Sequence, residues 1–172
     1  MARRISLREF QESLVRRLAE AQTSDRQALL GIQTGNENWL IDLIDTGEIL
    51  PVPPLLTVPL TQSWFRGIAN VRGNLYDVID FSNFQQGRMT PQTGQARLLL
   101  LNARHRVNSA LLVNRTSGLH SLDEFELDPQ QGDERVWVAE KLRDMQERLW
   151  LRLNVPALLE SPVFLEAAYE RA

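Results

Sequence analysis

The sequence predicts a mainly β protein. Apolar runs of strand length recur about ten times between Ala28 and Leu153, separated by breaks built from Gly, Asn and Pro. Helical spacing is concentrated at the two ends of the chain. Many short strands with few helices argue for small barrels or a sandwich.

Residues 1–24 form the first element. Leu7, Phe10, Leu14, Leu18 and Ala21 recur at spacings of three and four, with Arg8, Glu12, Arg16, Arg17 and Glu20 between them, which predicts an amphipathic helix. Ser6 and Glu9 have the spacing of a capping box. The stripe either covers a flank of the body or docks on a partner.

From Ala28 to Ile49 the apolar density is strand-like and breaks at Thr34-Gly35-Asn36, which predicts a hairpin running on into a third strand. Residues 51–60 carry Pro51, Pro53, Pro54 and Pro59 and read as a surface loop, because proline lacks the amide donor. A helical turn is expected around Gln62 to Arg66, and Asp80 is a candidate cap for a short helix through Phe84. Residues 85–95 are polar and read as a loop between two halves.

The second half repeats the strand theme over Leu98 to Leu101, Val107 to Val113, Leu119 to Leu122, Val136 with Val138, and Leu149, Leu151 and Leu153. Leu98, Leu100, Leu149, Leu151 and Leu153 are the expected core positions. The acidic stretch Asp123, Glu124, Glu126, Asp128, Asp133 and Glu134 surrounds Pro129 and Gly132 and reads as a solvated loop, or as an acidic contact patch. The tail reads as a short helix from Pro156, a break at Pro162 and a closing helix.

Composition narrows the chemistry. The chain has 172 residues, is 43% hydrophobic, carries a formal net charge of -3 and contains no Cys. That length and apolar content suffice for a sizeable core. Without Cys there is no disulfide, thiolate metal site or thiol nucleophile, and a cytosolic setting is expected. Met1-Ala2-Arg3-Arg4-Ile5 lacks a signal-peptide core, and no apolar run is long enough to span a membrane. The acidic balance disfavours nucleic acid as a partner. Lys141 is the sole lysine, and no glycine-rich phosphate loop is present.

The search for a reaction centre returns little. His105 sits in a predicted turn, while His120 has Ser117, Ser121 and Asp123 near it in sequence. A triad needs groups brought together from different elements, so adjacency is weak support for a small hydrolase using His120. The two histidines lack metal-ligand spacing. Asp42 with Asp45, and Asp77 with Asp80, have odd spacing, which places the members of each pair on opposite faces of a strand. No enzyme, no metal site and no cofactor are expected.

The densest signal lies in Trp64 to Phe81. Ile68 to Val71 and Leu75 to Phe81 meet at Arg72-Gly73-Asn74, where Gly73 can take a positive φ and Asn74 tolerates one. Arg72 is thereby placed at the mouth of a tight turn, either as a surface residue or paired with Glu48 or Asp80.

The pattern Gly67, Asn70, Arg72, Gly73, followed by an apolar run ending in Asp80, resembles the CheW family of chemotaxis adaptors. Leu40 to Ile49, with its Glu48-Ile49 pair, is similar to the family's strand upstream of the Arg-Gly turn. Arg97 to Asn102, Val107 to Val113 and Arg148 to Val155 are similar to its later strands. The resemblance implies two five-stranded SH3-like β-barrels sharing a core over residues 26–160, with 1–24 as an N-terminal helical extension and 161–172 as a C-terminal helix. The extension resembles adaptors of type IV pilus chemosensory systems.

Function follows as a further implication. The family couples methyl-accepting chemoreceptors to a CheA-type histidine kinase, which it meets through the kinase's CheW-like regulatory domain. The matching arginine is Arg72 and its matching glutamate Glu48, so partner binding is expected at Arg72, Glu48, Gly67, Asn70, Gly73 and Asp80. The chain departs from the family pattern at Asp77-Val78, at Val113-Asn114 and over Glu140 to Glu147, where charge replaces glycine. The resemblance also implies a cytoplasmic protein clustered at the inner membrane through receptors, with no insertion of its own. A rival reading is an SH3-like module for proline-rich peptides built on Trp39, Trp64, Trp137 and Trp150, which requires exposed, clustered rings.

Overall fold

The computed structural model describes Gln11, Glu12, Val15 and residues 28–167. Apart from those three N-terminal positions, the helix expected over 1–24 and its apolar stripe lie outside the described residues. The described strands are β1 (Ala28–Thr34), β2 (Glu37–Asp42), β3 (Thr46–Pro51), β4 (Leu55–Leu56), β5 (Phe65–Val71) and β6 (Asn74–Asp80). The second half contributes β7 (Arg97–Leu101), β8 (Ser109–Val113), β9 (Arg115–Ser121), β10 (Phe125–Leu127), β11 (Val138–Asp144) and β12 (Leu149–Leu153). Helix α1 (Phe81–Gln86) divides the halves, and α2 (Val155–Glu160) and α3 (Pro162–Leu165) follow the last strand.

The strands form two six-stranded sheets, in the orders β10-β11-β12-β2-β1-β9 and β3-β7-β8-β6-β5-β4. The middle of the chain builds the second sheet, and both flanks come together to build the first. Each sheet is mostly antiparallel and is held in the middle by one parallel pair, β12 with β2 and β6 with β8. The mainly β architecture expected from the sequence is present. A five-stranded reading of each unit omits a short edge strand, since β4 has two residues and β10 has three.

Alternation of side chains across a strand explains how the two sheets share one interior. On β7, Leu98 and Leu100 point into a core private to the second sheet, whereas Leu99 and Leu101 point into the shared core. β8 repeats the pattern, with Ala110 and Leu112 private and Leu111 and Val113 shared. In the first sheet Leu29, Leu40 and Trp150 are private, while Leu30, Ile32, Trp39, Ile41, Leu151 and Leu153 enter the shared core. Central strands buried on both faces read as continuous apolar runs, as in Leu98 to Leu101.

Local chemistry sets the boundaries. Asp80 caps α1 by accepting from the Asn83 amide, and Gly87 ends it in a left-handed conformation. Asn154 caps α2, with Pro156 in its first turn, and Pro162 likewise opens α3. The closing helix covers only four residues among those described.

Several expectations require correction. Leu149 is 42% exposed, because it starts β12 at the mouth of the hairpin from β11, beyond the reach of the shared core. Residues 51–60 contain β4, which proline permits because the strand is an edge. Phe65 and Arg66 belong to β5, and the expected helical turn is one bend closed by the Phe65 amide donating to the Gln62 carbonyl. The acidic stretch is no simple solvated loop: it includes β10, and Asp128 is buried where Arg143 bonds to it. Val136 is 65% exposed and precedes β11, which takes up most of the charged segment from Glu140.

Candidate partner-binding site

The β5–β6 hairpin closes with Val71 paired to Asn74, so its loop is the two residues Arg72 and Gly73. Their φ values of 54° and 87° are both positive, as a primed hairpin turn requires. The expected three-residue turn is thus one residue too long. Asn74 begins β6, and Arg72 itself takes the left-handed conformation, at a cost of about 1–2 kcal/mol for a residue with a Cβ. The Gly73 amide donates to Asn70 Oδ1 at 2.8 Å, which steadies the turn.

From this turn Arg72 reaches β3. Its Nη1 and Nη2 donate to Glu48 Oε2 and Oε1 at 2.8 and 2.7 Å, a bidentate pair between strands that are not neighbours in the sheet. The Arg72 side chain is 77% exposed, and that of Glu48 is 40% exposed. An ion pair this open contributes about 0–1 kcal/mol to stability, less than or similar to the strain at Arg72. The pair sets the shape and charge of an accessible corner more than it holds the fold together.

Arg72, Glu48, Asn70 and Gly73 therefore converge on one surface. Gly67 and Asp80 do not join them there. Gly67 is buried at φ 122°, and a Cβ on it would fall 2.1 Å from the Leu56 carbonyl oxygen, so glycine is what lets β4 approach β5. Asp80 is fully buried, which rules out direct contact with a partner in this conformation. Its carboxylate accepts from the Asn83 amide, the Thr90 amide, Thr90 Oγ1 and Arg66 Nη1 at 3.1, 2.8, 2.7 and 3.0 Å. Asp80 thus ties α1, the 87–96 loop and β5 together from inside.

Other candidate groups have structural partners. His120 Nδ1 lies 3.0 Å from Glu124 Oε2, and the same carboxylate accepts from the Ser121 amide at 2.9 Å in a capping box, leaving Ser121 without a base. Asp42 pairs with Arg152, whereas Asp45 faces His105 at 2.9 Å. Asp77 is exposed and partial burial raises its pKa; Asp80 is enclosed, so the two share no site. Among the described residues no group of three or more His, Cys, Asp or Glu could hold a metal.

All four tryptophans are buried, with exposures of 0, 9, 8 and 3% for Trp39, Trp64, Trp137 and Trp150. Trp64 and Trp137 both pack on Phe84, which leaves no exposed tryptophan rings for a polyproline ligand.

Sequence reasoning missed the long-range arginine clusters. Arg135 bonds Asp133, Glu37 and Gln85 and lies 5.2 Å over the Trp39 ring, clamping the 128–137 segment to β2 and α1. Its hydrogen bond holds the Asp133 carboxyl down at about 2. Partners nearly a hundred residues apart leave no local spacing to read; only the abundance of arginine over lysine hints at such forked contacts.

A family model for the CheW-like domain matches residues 28–163. The chain belongs to the CheW-like domain family. The CheW-like chain is 26% identical over 162 residues to Protein PilI of Pseudomonas aeruginosa, covering 89% of each sequence. Its fold is similar to the crystal structure of the scaffolding protein TtCheW from Thermoanaerobacter tengcongensis, with a TM-score of 0.65 at 15% identity. That match covers 80% of this chain and 95% of the other.

Proposed function

We propose that this CheW-like chain is a non-enzymatic adaptor that couples methyl-accepting chemoreceptors to a CheA-type histidine kinase in a pilus-linked chemosensory array. The observation that carries the proposal is the exposed Arg72–Glu48 corner. A strained arginine is held by two hydrogen bonds on the surface, where the pair adds little to stability. The likeness to PilI over most of both chains supports the pilus link.

Coupling of this kind needs no bond chemistry. One face of the adaptor engages the receptor's helical hairpin tip and another meets the kinase's CheW-like regulatory domain, so receptor shape biases the kinase between states. The adaptor unit is residues 26–160, with 1–24 as an added helix and 161–172 as a closing segment. It works in the cytoplasm, clustered at the inner membrane by its receptors; no described helix is long and apolar enough to cross a membrane.

Sedimentation with receptor-bearing membranes tests the partners. The full chain is expected to pellet with membranes that carry the cognate receptor and to draw soluble kinase into the pellet. Kinase recruitment that is unchanged when the adaptor is omitted would overturn the proposal.

A further inference from the structure

A groove of about 900 Å3 opens between the β3–β5 connection and the 87–96 loop, and neither Arg72 nor Glu48 lines it. Three features set it apart from ordinary surface. No Asp or Glu is among the described residues lining it, although the chain has 22 acidic residues; of the two arginines in the lining, Arg66 is paired from behind by the buried Asp80, which leaves Arg97 as the cation without a carboxylate partner among the described residues. Arg97 Nη1 is fixed by the carbonyls of Gly94 and Ala96, each at 2.8 Å, and no carboxylate pairs with this guanidinium among the described residues. Its remaining N–H groups are donors held in a fixed position at the groove and open to an acceptor from outside the chain.

The rim is apolar and held in place. Leu60 has φ 61° and is 56% exposed, directly after Pro59 in a bend closed by Thr61 Oγ1 on the Val58 carbonyl. Proline followed by a positive-φ residue is the pattern of a type II turn, whose second central position favours Gly or Asn. Leucine there incurs strain and also projects its side chain into solvent, so folding alone does not account for it. Met89, 59% exposed, lines the groove from the 87–96 loop, next to Thr90, which the buried Asp80 carboxylate grips.

We propose that this groove is a docking site for a peptide segment of a partner protein that combines apolar side chains with carboxylates. Leu60 and Met89 take the apolar side chains, and the Arg97 guanidinium, with no acidic residue among the described lining of the groove, takes a carboxylate. The site is independent of receptor–kinase coupling through the Arg72 corner.

The test uses the full 15N-labelled chain and two fluorescein-labelled decapeptides of identical leucine content, one alternating Leu with Glu and the other Leu with Lys. The Glu peptide is expected to bind on the order of tenfold tighter, with amide shifts confined to the β3–β5 connection and residues 87–97. Arg97→Glu should reverse the preference. Leu60→Gly should raise the melting temperature, by relieving the positive φ, yet weaken Glu-peptide binding several-fold. Equal affinity for the two peptides, shifts elsewhere on the surface, or unchanged binding by Leu60→Gly would each overturn the proposal. Neither receptor nor kinase enters the experiment, so its failure and that of the coupling proposal are separately visible.

Discussion

Arg72 and Asp80 belong to the same motif and do opposite work. Arg72 is strained, exposed and paired for little stability. Asp80 is buried with four hydrogen bonds. Asp80→Ala should therefore destabilise the fold by about 3–5 kcal/mol in urea unfolding, because it strands Arg66 and the Thr90 donors. Arg72→Gly should melt within about 1 kcal/mol of wild type, since loss of the ion pair is offset by relief of the positive φ. The motif was legible in the sequence down to the Asx cap at Asp80, but it could not say which members face solvent. Burial is decided by where the next sheet lies, and that is not a local property. Acid titration offers a second residue-scale check. The Arg135 hydrogen bond lowers the Asp133 pKa from 3.8 to about 2, so its stabilisation is complete above the unfolded value. It is lost as pH falls from about 4 through about 2, and Asp133→Asn should flatten the stability curve over that window.

The strands show where a period-two reading succeeds and where it fails. Alternation at Leu149, Leu151 and Leu153 suggested one buried face, yet Trp150 is 3% exposed and Leu149 is 42% exposed. β12 lies between β11 and β2, so both of its faces meet a core, and only its position in the sheet decides how far burial extends toward the hairpin. Leu99→Ala and Leu111→Ala, each at fully buried positions, should cost about 2–5 kcal/mol, whereas Leu149→Ala should cost well under about 1 kcal/mol. Chemical denaturation of the three variants checks this. β4 and β10 were illegible for a different reason. Two or three residues carry no periodicity, and their pairing depends on glycine at 67 and on β11 across the loop.

For the whole molecule, the chain's ends build one sheet and its middle the other, with a core between them drawn from both. The fold class and the family were legible because strand order and the Arg-Gly turn survive in sequence. The arginine clusters and the groove beside Leu60 were not, since they arise only when distant segments meet. The shared core predicts cooperative unfolding: far-UV dichroism and tryptophan fluorescence should give coincident transitions, including in Leu99→Ala. The adaptor account rests on the surface corner that this core presents. Its most direct test is phosphorylation by the reconstituted cognate kinase with receptor and Arg72→Ala adaptor. Receptor-coupled activation is expected to fall several-fold while the thermal melt of the variant stays within a few degrees of wild type. Wild-type stimulation by a folded Arg72→Ala protein would contradict the account.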